Sequence, residues 1–309
     1  MIEKPAVLVT STGRTGTAFF ADLFPRIVAE CDAFHEPDCL KNLWPFEILD
    51  VLQQFGPVLA TVDKLRLLGN VRGMSVARIT GQVKDRPVAS ALERLRSRFV
   101  NSLCGTLYVE SNQQMVGLID VLPVVFRQCR IVYLVRDPRE WLRSYWCHTG
   151  AAFSIVDLVS FLPAGRLRAP LCFQDPWARE WGEMDRFQKN CWLWAKKNRY
   201  ALECVKHTDE ARMWRFEDVF LGDRRYEVLE DLVDFATRFP DGTRFDHGSL
   251  EGVLERKVNE SKRDILSPWR EWSAERVRDF RKMCGGLMDE LGYGEEPEWR
   301  RMCEEAGAP

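Results

Sequence analysis

The sequence predicts an α/β fold, a three-layer sandwich with a mostly parallel central sheet and helices on both faces. Three observations carry that prediction. Short apolar runs at 6–9, 106–110, 130–135 and 213–216 read as strands, and stretches of helical period separate them. Strands that alternate with helices pack as parallel sheets covered on both sides. No repeat, low-complexity tract or linker interrupts the 309 residues, which read as a single domain over 1–309.

The first strand runs straight into Ser11-Thr12-Gly13-Arg14-Thr15-Gly16-Thr17. A helical pattern follows, with Phe20, Leu23, Phe24, Ile27 and Val28 on one stripe. Strand, glycine-rich turn and helix together make an anion site, because backbone N–H groups converge there and the helix dipole adds partial positive charge. Arg14 adds a permanent forked cation to the same loop.

Further along, His35-Glu36-Pro37 reads as a polar turn, with Pro37 holding the residue before it extended. Residues 40–55 read as mostly helical, 56–83 carry no clear pattern, and 84–103 form an amphipathic helix. The strand at 106–110 ends at Ser111-Asn112, a helix is expected over 116–127, and 130–135 is the clearest strand in the chain. Asp137-Pro138 reads as an N-cap and first-turn proline. Asp175-Pro176 repeats the signal ahead of a Trp-rich helix running to about His207. After the strand at 213–216 come a helix over 226–238, a loop-like stretch over 241–259, and a last helix capped by Ser273 and ended by Gly292. Parallel sheets bind ligands outside the carboxyl ends of their strands. The loops after Val9, Glu110 and Val135 should therefore share one crevice.

A second constellation lies in that crevice. Arg136 leaves the end of the 130–135 strand, and Ser144 stands two turns into the next helix, on a face that can point back. An arginine fork and a hydroxyl converging there suit a phosphate dianion. The plainer reading pairs Arg136 with Asp137 or Glu140 at the surface.

Composition narrows the remaining choices. Hydrophobic residues are 46% and charged residues 29%, with net charge −2, so no affinity for nucleic acid or membrane surfaces is expected. Ten scattered cysteines without C-x-x-C pairs read as reduced thiols of a cytoplasmic protein. The N-terminus lacks a signal-peptide pattern. The longest apolar tract, 116–135, is broken by Asp120, Pro123, Arg127 and Arg130, which argues against membrane insertion.

The loop at 11–17 is not a Walker A motif, because Gly16 stands where the lysine before Thr17 would be. It resembles instead the 5′-phosphosulfate loop of the sulfotransferases that use 3′-phosphoadenosine 5′-phosphosulfate (PAPS), enzymes of P-loop NTPase-like fold. Arg136 followed eight residues later by Ser144, with Asp-Pro between, resembles their 3′-phosphate site. Trp214-Arg215-Phe216-Glu217-Asp218 is similar to their late Tyr-Glu-Asp strand, and Leu291-Gly292-Tyr293 to the end of their last helix. Ser261-Lys262-Arg263 with Trp269-Arg270 is similar to their C-terminal basic loop, although the Gly-x-x-Gly-x-Trp-Lys form is absent.

The resemblance implies that Thr12, Gly13, Arg14, Thr15, Gly16, Thr17 and Ala18 hold the phosphosulfate, with Arg136, Ser144, Lys262 and Arg263 at the 3′ end. It is closer to the carbohydrate-type branch than to the cytosolic small-molecule branch, whose histidine base has no match here. The carbohydrate-type branch places a carboxylate base where Glu36 stands, beside His35, and Glu110, at a strand end facing the same crevice, is the second candidate. The implied reaction moves a sulfuryl group from PAPS to a hydroxyl or amine of a small-molecule or glycan acceptor. It leaves adenosine 3′,5′-bisphosphate and requires no metal. Nucleic-acid partners and stable membrane insertion are not expected, and a homodimer is compatible with the reading. Two others stay open: a P-loop kinase or NTPase with a degenerate loop and Asp137 on magnesium, and a non-catalytic nucleotide-binding relative.

Overall fold

Strands whose side chains are apolar on both faces must be covered on both faces, and the central strands of this chain are of that kind. In the computed structural model, which describes residues 1–38, 70–148, 152–153, 166–255 and 266–308, Ala6 and Leu8 enter one core with Tyr108, Ile131 and Tyr133. Val7 and Val9 enter the other with Val109, Val132 and Leu134. The three-layer α/β architecture expected from the sequence follows from that division.

Among the described residues five strands form the sheet: β1 Ala6–Ser11, β2 Cys31–His35, β3 Leu107–Ser111, β4 Cys129–Val135 and β5 Ala211–Arg215. Their order is β2-β3-β1-β4-β5, and every pairing is parallel. The helices, in chain order, are α1 Thr17–Ile27, α2 Val71–Ile79, α3 Asp85–Ser102, α4 Leu122–Val125, α5 Pro138–His148 and α6 Arg186–Lys206. Then come α7 Phe216–Phe220, α8 Arg225–Thr237, α9 Ala274–Phe280, α10 Gly286–Glu290 and α11 Pro297–Ala306. Among the described residues no helix is long and apolar enough to cross a membrane.

This order places the functional end of the molecule. From β1 the chain goes to the β2–β3 side and later returns on the other side as β4, so β1 stands at a switch point. The crevice outside its carboxyl end is where doubly wound sheets bind ligands.

Several expected elements are corrected. His35-Glu36-Pro37 is not simply a turn after a helix, because His35 closes the edge strand β2, paired with Ser111. Cys31–His35 is only half-buried, so its polar alternation hid a strand that the ladder to β3 holds. The helix expected over 116–127 is a 3-10 turn, Gln113–Gly117, followed by the short α4, whose first turn accommodates Pro123. The Trp-rich helix starts at Asp185, whose side chain accepts from the Gln188 N–H while Gln188 returns a bond to the Asp185 N–H, a capping box. Asp175 serves another purpose, accepting from the indole of Trp192 at 3.1 Å and pairing with Lys196 at 3.0 Å. The last helix is interrupted by a π turn, Arg281–Gly285, and α11 follows it unforeseen. The helix expected at 40–55 lies outside the described residues.

Candidate active site

The loop after β1 is built to hold its backbone open. Gly13 and Gly16 have φ of 89° and 73°, and Arg14 between them has φ of 59°, unusual for a residue with a side chain. The Gly13 N–H is held by Ser11 Oγ at 2.9 Å, and its carbonyl accepts from the indole of Trp141 at 2.7 Å. A Cβ at Gly13 would lie 2.0 Å from Oε1 of Gln113. Gly13→Ala should therefore lower stability by about 1–2 kcal/mol, the cost of a left-handed conformation with a side chain, as read by urea denaturation.

Two buried hydroxyls in the loop, Thr12 Oγ1 and Thr15 Oγ1, have no hydrogen-bond partner. Leaving such a group unpaired costs on the order of 1–3 kcal/mol, so donors left over around a glycine-rich loop indicate a place for a ligand. Gly16 caps α1 without a side-chain hydrogen bond, which leaves the first-turn N–H groups of Thr17 and Ala18 without a side-chain cap.

Arg136 and Ser144 reach this same loop. Arg136 Nη1 donates to the Arg14 carbonyl at 2.8 Å, its guanidinium lies 4.5 Å from the Phe216 ring centroid, and its buried Nε has no partner. Arg14 Nε donates to Ser144 Oγ at 3.1 Å. Burial pulls both arginines below their ordinary value, and an incoming anion would relieve both. The two constellations read separately in the sequence are thus one connected set. The surface pairing of Arg136 with Asp137 is not adopted: Asp137 holds Arg139 through both carboxylate oxygens, at 2.6 to 3.2 Å.

Across the crevice, the end of β2 is pinned to β3. His35 Nδ1 lies 2.9 Å from Ser111 Oγ, and the Glu36 N–H donates to the Ser111 carbonyl at 3.0 Å. Asp38 continues the anchoring, accepting from Arg96 at 3.0 Å. Glu36 has φ of 49°, is 9% exposed, and keeps one buried oxygen, Oε1, without a partner. Strain in a non-glycine residue points to function when it recurs at one site, and Arg14 and Glu36 both carry it. With β3 between them, β1 and β2 are two strand spacings apart, roughly 10 Å.

Glu110 has a different position. It is fully buried and accepts from Arg96 at 2.8 Å through each oxygen, from the Tyr108 hydroxyl at 2.6 Å and from Asn112 Nδ2 at 2.8 Å. Burial and the Glu110 charge push the Tyr108 phenol up, so it stays a proton donor to that carboxylate. All four bonds tie this carboxylate to the interior, which favours Glu36 over Glu110, the second candidate for the base. Lys262 and Arg263 lie outside the described residues.

The sequence reading missed Trp141, Gln113 and the Asp38–Arg96 pair. None has a local signal, since each acts through a partner distant in sequence. Glu217, flagged only as part of a motif, accepts from the Asp137 N–H at 3.1 Å and the Tyr293 hydroxyl at 2.7 Å, and burial raises its pKa. Among the described residues no group of three or more His, Cys, Asp or Glu is placed to hold a metal ion.

A parallel sheet with a glycine-rich loop at its switch point defines a class of fold, and one solved structure identifies which. The sulfotransferase STF9 from Mycobacterium avium aligns with a TM-score of 0.50 and 13% identity, over 95% of this chain and 78% of that one. A sulfotransferase from Alicyclobacillus acidocaldarius aligns at 0.42 and 12% identity over 97% and 100%. A sulfotransferase domain from the curacin biosynthetic pathway aligns at 0.42 and 12% identity over 100% and 99%. The first likeness shows that the chain has a sulfotransferase fold. No family model and no curated protein sequence matches it.

Proposed function

We propose that the protein is a PAPS-dependent sulfotransferase acting on a hydroxyl or amine of a small-molecule or glycan acceptor in the cytoplasm, nearer in kind to the carbohydrate-type enzymes. The observation that supports it best is the set of unpaired buried donors, Thr12 Oγ1, Thr15 Oγ1 and Arg136 Nε, gathered around the β1 loop. Hydroxyl, backbone and guanidinium donors suit an anion with several oxygens.

When bound, PAPS supplies the sulfuryl group and, with it, the bisphosphate leaving group. The chain's own residues do the rest. The N–H groups of 14–17 and the Thr12 and Thr15 hydroxyls hold the 5′ end, and Arg14 offsets negative charge as it develops there. Ser144 Oγ accepts from Arg14 and keeps its own proton to donate, so one side chain serves both sites. Glu36 Oε1 takes the proton from the acceptor, and its bond to Ser111 holds it in place. These cations carry the charge that metals carry in phosphoryl transfer, so EDTA should leave transfer unchanged.

The kinase or NTPase reading is not favoured, because Asp137 is committed to Arg139. Incubation with a sulfuryl-labelled donor and a panel of alcohols, amines and glycans tests the proposal. Label should appear on an acceptor class; bisphosphate binding without transfer to any would indicate the non-catalytic relative. Arg136→Ala should weaken bisphosphate binding by about 1.5–3 kcal/mol, and Ser144→Ala by about 1 kcal/mol, by calorimetry. Wild-type affinity in both variants would move the 3′ site elsewhere.

A further inference from the structure

On the β3 side of the glycine-rich loop stands a polar side chain that takes no part in the proposed mechanism. Gln113 opens the 3-10 turn after β3 and is half-buried. Its amide lies on Gly13, with Oε1 and Cδ at 2.0 Å and 3.1 Å from where a Cβ of residue 13 would be. The NH2 end is directed away from the glycine, since the Cβ of Gln113, at 3.9 Å, is nearer to that point.

The contact is not a hydrogen bond. The Gly13 N–H donates to Ser11 Oγ, and its carbonyl accepts from Trp141. The Thr12 and Thr15 hydroxyls of the same loop do not engage the amide, because neither has a partner. Among the described residues the Gln113 amide has no hydrogen-bond partner. Methionine would fill the same space without an amide to desolvate.

The amide also rises from a fixed stem, because Asn112, just before it, is engaged at every polar group. The Asn112 N–H donates to the Val9 carbonyl at 2.8 Å, and its carbonyl accepts from the Thr10 hydroxyl at 2.9 Å. Its Nδ2 donates to Glu110 at 2.8 Å, and its Oδ1 accepts from the Gln114 N–H at 2.9 Å. A donor held in this way loses little freedom when a ligand arrives.

The strand order indicates which part of a ligand it meets. Arg136 and Ser144 reach the loop from the β4 side of β1. Gln113 reaches it from the β3 side, the side on which β2 leads into Glu36. We propose that Gln113 is a further binding residue, whose amide N–H groups donate to the transferable sulfuryl group of the donor and not to its 3′ end. The identity of that group rests on the sulfotransferase reading; that the amide serves an anion in the loop rests on its own geometry.

Calorimetry with two nucleotides that differ in the sulfuryl group, PAPS and adenosine 3′,5′-bisphosphate, tests it. Gln113→Met keeps the length of the side chain and its contact with Gly13, and removes the donors. It should bind PAPS about tenfold more weakly than wild type, the lower range for a hydrogen bond to a charged group. Its bisphosphate affinity should stay at the wild-type value, which also shows the loop to be intact. Gln113→Glu, which sets a negative charge against the sulfuryl oxygens, should weaken PAPS more than it weakens the bisphosphate. Equal losses for the two nucleotides would make Gln113 a packing residue, and an unchanged PAPS affinity would place it outside the site; either overturns the proposal. If wild type binds neither nucleotide, the PAPS reading fails on its own, and titration with inorganic sulfate decides the role of the amide. Sulfate bound by wild type, and about tenfold more weakly by Gln113→Met, keeps the amide as an anion donor. Equal sulfate binding in the two, or none in wild type, overturns it.

Discussion

Glu36→Gln should slow single-turnover sulfuryl transfer by roughly 100-fold or more, the usual worth of a general base, with bisphosphate affinity near wild type. Glutamine keeps the shape of the side chain and the bond from the residue-36 N–H to Ser111, and removes only the basic oxygen. The position already carries a left-handed φ of 49° and a buried oxygen without a partner, features with no evident value to stability. Rapid-quench measurement with the acceptor found by the panel would read the effect. Transfer at the wild-type rate would remove Glu36 as the base and direct attention to His35, its neighbour on the Ser111 hydroxyl.

Glu110→Ala should show the opposite pattern, a loss of folding stability of about 3–5 kcal/mol, the scale for breaking a buried ion pair by removing one partner. Both Arg96 and Glu110 are 0% exposed, so water cannot replace the lost charge. Arg96 also tethers Asp38, two residues beyond the proposed base, so the order of the Glu36 loop depends on the same guanidinium. Guanidinium chloride denaturation of the variant checks the magnitude. A shift below about 1 kcal/mol, with transfer abolished, would return Glu110 to the chemistry.

What the sequence revealed, and what it hid, divides along physical lines. The central strands were legible because both faces of β1, β3 and β4 are buried, which forces continuous apolar runs. The loop at 11–17 was legible because a left-handed turn needs glycine at Gly13 and Gly16, and glycine pairs at that spacing are visible. β2 was not, because an edge strand half open to solvent has little pattern to show. The surroundings of Glu110 were hidden because a carboxylate at a strand end looks the same whether it faces a crevice or a buried arginine fourteen residues earlier. Asp175-Pro176 misplaced the start of α6 because a cap signal records only local chemistry, and Asp175 is held by Trp192 and Lys196, far along the chain.

The central claim is that the β1 loop, with Arg136 and Ser144, recognises a 3′-phosphorylated adenosine 5′-phosphosulfate. Calorimetry of adenosine 3′,5′-bisphosphate against ATP with magnesium, at equal ionic strength, tests it most directly. The account predicts that the bisphosphate binds more tightly and that Arg136→Ala removes most of the preference, because the 3′-phosphate is what Arg136 would hold. ATP with magnesium bound as tightly as the bisphosphate, in wild type and variant alike, would contradict it.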